Sequence, residues 1–207
     1  MRLDAATFLL QWSSGGLAFL WFTLRSKEIS LGYSKLLRAT FGVLAALGVA
    51  AGFYFDRILI REVAGVAVAV VALATFARRE SRTDLIAVAI GAIGLIGSVV
   101  ANSGGVVDLL RVLVGAAFLG AVTDLMLLGH WYLVQPGMTR KLLNELTNAV
   151  LFIWPLEVVV MILPTGMISV LNGSIDDGWD GILGYFWFCH CRQLCLLIFG
   201  HSESRPK

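Results

Sequence analysis

The sequence is short of charge. Asp, Glu, Lys and Arg supply 14% of its 207 residues, against about 25% in ordinary soluble domains. A water-facing fold of this length would lack polar cover. Cysteine is also scarce, and Cys189, Cys191 and Cys195 all fall in one stretch near the end, giving neither an even disulfide set nor paired CxxC motifs. Even with His190 among them, their x1 and x3 gaps fit none of the usual zinc spacings, and a helix would turn Cys189 and Cys191 to different sides. The net charge of +2 is small and the basic residues come in short clusters between apolar runs, which excludes a nucleic-acid-binding face. No Gly-rich phosphate loop, GxSxG elbow or HExxH pair occurs. The acidic stretch NGSIDDGWDG is not a calcium loop either, since its sixth position is Asp177 where Gly is needed and its twelfth is Leu183 where Glu is needed.

Apolar residues make up 58% of the chain and gather in runs that match a bilayer, whose hydrocarbon core takes about 20 helical residues to cross. The expected architecture is an all-α bundle, a single integral membrane domain of seven spans over residues 5–24, 39–55, 58–77, 85–101, 106–134, 149–171 and 182–199. A short helix lying in the membrane interface is expected over 138–148, where Leu142, Leu143, Leu146 and Ala149 have helical spacing. Orientation follows from the basic residues. Eleven of the sixteen Lys and Arg, among them Arg25, Lys35, Arg38, Arg140 and Lys141, fall in connections on one side of this map and three on the other. Such a bias puts the N-terminus outside and the C-terminus inside a cytoplasmic membrane. Gly48-x3-Gly52 and the series Gly91, Gly94, Gly97 predict helices in close approach.

The run 106–134 is the longest, and its 29 residues make a helix about 43 Å long. Asp108 and Arg111 near its start are three apart and can pair on one face. Asp124 lies ten residues from its far end, His130 four, and in the sixth span Glu157 lies eight residues in, so the three are expected about 15, 6 and 12 Å deep in the inner half of the membrane. Ionisable groups at such depth face a bundle interior or a cavity. Asp124 and His130 are about 120° apart around the helix and cannot stack on one face.

Three functions suit these residues. Met126-x3-His130-x2-Leu133 resembles the loose aliphatic-x3-His-x2-Leu pattern of many quinone sites; Trp131 and Tyr132 would border the ring, and Asp124 or Glu157 would relay a proton. On that reading the chain is a small membrane subunit of a redox or quinone-linked assembly. A b-type haem would need two axial ligands at similar height, which His130 and His190 do not offer. A proton-coupled transporter would line its path with Asp124, Glu157 and His130, shaped by Pro155 and Pro164. Against all of these stands a purely structural or assembly subunit, in which Asp124 and Glu157 hold the fifth and sixth helices together. Its partners are the lipid bilayer and either a second copy or a larger membrane complex. The composition changes abruptly after Trp187, where every cysteine and two of the three histidines crowd together. That break predicts a frameshift or alternative terminus, which resequencing the gene end would test. No motif here resembles a named family.

Overall fold

Helix α1 (Ala5–Leu24) is the axle of the fold, and the helices α2 (Leu31–Phe55), α3 (Leu59–Ala74), α4 (Thr83–Ala101) and α5 (Val106–Val134) gather around it. α6 (Lys141–Ile162) lies at the edge and is the least attached. The computed structural model describes residues 4–26, 28–77, 83–135 and 137–162. The chain divides into two units, Met1–Val160 and Met161–Lys207, and the described bundle belongs to the first apart from the last two residues of α6. Among the described residues the fold is all-α with six helices, of which α2, α4, α5 and α6 are long and apolar enough to cross a membrane.

Residues of α1 that look unsuited to a span explain its central place. Gln11, Ser13, Ser14, Gly15 and Gly16 are buried, and each small or polar group meets a neighbouring helix. Ser13 donates to Phe41 O of α2 (2.7 Å), Gln11 Nε2 to Val112 O of α5 (2.8 Å), and Trp12 Nε1 to Thr123 Oγ1 of α5 (2.8 Å). A Cβ on Gly15 would stand 1.8 Å from Ala116 O, so α1 and α5 touch backbone to backbone. Gly91 of α4 makes room for the Ser14 side chain, whose Cβ would lie 2.6 Å from an added one.

Two charge clusters close the bundle near its ends. At one end Arg61 of α3, 2% exposed, donates to Asp4, to Asp56 O (2.6 Å), to Glu62 Oε1 (2.8 Å) and to Thr7 Oγ1 (3.2 Å). Asp4 also caps α1 through the Thr7 N–H (3.0 Å), and Glu62 fills the notch left by Gly52. Toward the other end Arg38 of α2, fully buried, makes a two-pronged pair with Asp84 of α4 (2.7 and 3.2 Å) and donates to Thr75 O (3.0 Å). The outside of the bundle is the reverse: Val63, Ile86, Met126 and Phe152 are 62, 54, 57 and 79% exposed. Polar groups inside and aliphatic groups outside is the pattern of a fold whose solvent is hydrocarbon.

Several helix bounds differ from the sequence expectation. The first and fifth helices begin and end where expected, α1 after its Asp4 cap and α5 between Gly105 and Gln135. α2 starts eight residues before 39, because Tyr33, Ser34, Leu37 and Arg38 form a buried stripe and not a solvated loop. α3 is shorter than 58–77. The interfacial helix and the sixth span are one continuous helix from Lys141, since no Gly or Pro interrupts the chain before Pro155. The expected seventh span, Pro164, the acidic stretch and Cys189–Cys195 with His190 lie outside the described residues, as does the remainder of the sixth span.

Candidate functional site

α5 presents two different surfaces, and the sequence-derived site residues divide between them. Val112, Ala116, Gly120, Asp124 and Leu128 recur every four residues and are buried against the bundle. On that face the Asp124 carboxylate is fully enclosed. Tyr33 OH of α2 donates to Asp124 Oδ1 (2.9 Å), and the Thr23 hydroxyl of α1 donates to Oδ2. Three helices are tied through one side chain. The Tyr33 ring meets Trp131 edge-on, with centroids 5.6 Å apart, and the Trp131 indole donates to Gln135 Oε1 (3.2 Å).

His130 is on the outward side, as its angular distance from Asp124 requires. Its Nδ1 lies 2.8 Å from Met126 O, one turn back. Met126, Gly129, His130 and Leu133 of α5, with Leu143 and Thr147 of α6, line an open groove of about 390 Å³. All three residues of the Met126-x3-His130-x2-Leu133 pattern therefore share one wall. Trp131 and Tyr132 do not line it: Trp131 turns inward to Tyr33, and the Tyr132 hydroxyl donates to Thr139 O.

The α6 wall of this groove is set by the connection after α5. Gln135 Nε2 donates to Glu28 O (2.8 Å), and Thr139 donates to Glu28 Oε2 through its hydroxyl (2.8 Å) and its N–H (3.2 Å). Gly137, at φ 98°, makes the turn between them in a conformation that glycine adopts without strain. α6 then inserts Leu142 and Leu146 into the core, one turn apart.

Glu157 is not brought to either Asp124 or His130. Because α6 starts at Lys141, Glu157 is sixteen residues along it, a rise of about 24 Å. It reaches the far half of α5, where its carboxylate oxygens lie 3.7 and 3.9 Å from the position a Cβ on Gly115 would take. Its Oε2 and the Nε of Arg111 are the two buried side-chain polar atoms without a hydrogen-bond partner among the described residues. Arg111 pairs instead with Asp108, at 3.7 Å. The depth expected for Glu157 assumed a helix starting at 149, and the continuous helix displaces it by two turns.

Sequence reasoning also missed residues that matter here. Gly129 and Thr147 line the groove, and Tyr33 and Thr23 hold Asp124. Gly129 and Thr147 could have been found by extending the helix of Leu142 and Leu146 onward and asking what faces His130. Tyr33 carries no such signal, since it reads as part of a basic loop. No protein-family model, curated protein or solved structure matches the chain.

Proposed function

We propose that this chain is a multi-pass integral membrane protein that binds a lipid-soluble ligand of the quinone class in the α5–α6 groove, as a small membrane subunit of a redox or quinone-linked assembly. The observation that carries the reading is the convergence of Met126, His130 and Leu133 on one open groove, with an imidazole as its ionisable group. The groove opens on the aliphatic exterior of the bundle, the side from which a quinone dissolved in lipid would arrive. In this reading the end of the bundle bearing Arg25, Lys35, Arg140 and Lys141 faces the cytoplasm, by the positive-inside bias. Asp124 acts as a tie between α1, α2 and α5, and the relay of protons does not pass through Glu157.

The test is organic extraction of the detergent-purified protein, with an optical spectrum of the oxidised and dithionite-reduced sample. Stoichiometric quinone, lost in His130→Ala with the helix content unchanged, is the expected result. A quinone-free sample, from membranes purified together with any partner subunits, would end the proposal. A second reading, a structural or assembly subunit, is favoured by the closure of the Arg38–Asp84 and Arg61–Glu62–Asp4 clusters on themselves. Co-purification with a large complex that loses its integrity without this chain, but keeps its quinone, would support that reading.

A further inference from the structure

We infer that the groove beside His130 selects a hydrogen-bond donor and so takes the reduced, hydroquinone form of its ligand in preference to the quinone. The inference rests on the reading of the groove as a quinone-class site and adds which redox form it holds. Both polar side chains that line the groove have already committed their protons to backbone carbonyls. A carbonyl oxygen only accepts, so the 2.8 Å contact of His130 Nδ1 with Met126 O places the imidazole proton on Nδ1. In the neutral ring Nε2 is then an acceptor with no proton to give. Thr147 likewise donates to Leu143 O at 2.8 Å, which leaves lone pairs on its Oγ1. The backbone N–H groups of the α5 wall and of Thr147 lie in helix interiors and are used within the helices, and that of Leu143, in the first turn of α6, is directed to the Tyr132 hydroxyl.

The groove therefore offers acceptors in an otherwise aliphatic setting. A quinone carbonyl entering it would bring a third acceptor and leave Nε2 unanswered, whereas a hydroquinone O–H supplies the missing proton. Space is available for the ring: Gly129 has nothing within 4 Å of where a Cβ would be, and about 390 Å³ falls inside the range of small-molecule sites, roughly 300–1,000 Å³. Gly129 is thus a position at which the groove can be filled without disturbing the protein.

The experiment measures anaerobic binding to the full chain in nanodiscs with three probes of one shape: a short-chain para-hydroquinone, its quinone, and its dimethyl ether. The hydroquinone is expected to bind roughly tenfold more tightly than the other two, the size of one net hydrogen bond. His130→Phe combined with Thr147→Val, which leaves no side-chain acceptor in the groove, should erase the difference, and Gly129→Leu should abolish binding of all three. Equal binding of the three probes, or tighter binding of the quinone, would overturn the donor inference and leave the quinone-class site standing. Binding of none of them, or binding indifferent to Gly129→Leu, would overturn the site itself and leave a groove filled by lipid chains.

Discussion

The two sides of α5 are built on opposite principles. Toward α1 the contact is backbone on backbone at Gly15, Ala116 and Gly120, and the polar groups that cross it, Gln11, Trp12 and Asp124, all have hydrogen-bond partners. Toward α6 the seam holds an open groove and two buried polar atoms, on Arg111 and Glu157, without partners among the described residues. Burial differs accordingly, since 39% of the most apolar window of α5 is buried but 11% of that of α6. In the bilayer setting proposed for this chain the hydrophobic effect does not explain the difference, because lipid is as apolar as Leu and separates helices at no penalty. Close packing and hydrogen bonds decide which helices adhere. α1, rich in small and polar residues, adheres to α2, α3, α4 and α5, while α6, with Leu151, Phe152, Leu156 and Val159 exposed, adheres little.

The largest effect that would test this contrast lies in the interior. Arg38→Met leaves the Asp84 carboxylate buried without its cation, and the expected loss is about 3–5 kcal/mol of stability, read as a shift in the unfolding midpoint in mixed micelles. Arg38→Met with Asp84→Leu should recover much of it, and if the double variant is no better than the single the pair is not what joins α2 to α4. Next comes a matched pair of glycine substitutions on α5. In Gly120→Leu the new Cβ would stand 2.2 Å from the carbonyl carbon of Gly15, where no side chain can yield, and about 3 kcal/mol is expected to be lost. In Gly129→Leu the Cβ enters open space, and the change should stay within about 0.5 kcal/mol. Comparable damage from both would mean that the α6 side is packed as tightly as the α1 side.

This contrast was half legible in the sequence. Apolar run length located α1 and α5 to the residue, because Asp4 caps one and Gly105 and Gln135 bound the other, and depth counting put Asp124 in the interior and His130 elsewhere on the helix. What hydropathy could not reveal was which charges are solvated. Arg38, Arg61, Glu62 and Asp84 read as loop or border residues, yet all four are buried in ion pairs whose partners are as far as 57 residues away in sequence. A transfer scale scores each charge alone, so a charge that is paid for by a distant partner looks like an exposed one. The same blindness started the sixth span too late: residues 138–148 read as an interfacial helix, although Lys141, Asn144 and Glu145 stand exposed on the first turns of the helix that carries Glu157. Misplacing that start displaced Glu157 toward Asp124 and His130, and the constellation built on all three dissolved with it.

The smallest effects compare the buried carboxyl group of Asp124 with the half-buried one of Glu157. Tyr33→Phe removes the hydroxyl that serves Asp124 Oδ1 while keeping the ring against Trp131, and about 1 kcal/mol should be lost, in line with hydrogen bonds between membrane helices. Glu157→Gln alters a carboxylate whose Oε2 has no partner among the described residues, and it should shift the midpoint by less than about 0.5 kcal/mol. The sign of the second shift carries information as well. If Arg111 draws on Glu157 across the seam, neutralising Glu157 destabilises the protein slightly; if Asp108 already satisfies Arg111, removing an unpartnered charge from the seam stabilises it. A loss at Glu157→Gln as large as that at Tyr33→Phe would show that α6 is fastened by polar contact after all. In that event the groove beside His130 would be a fixed cleft between bound helices and not a gap along a loosely held one.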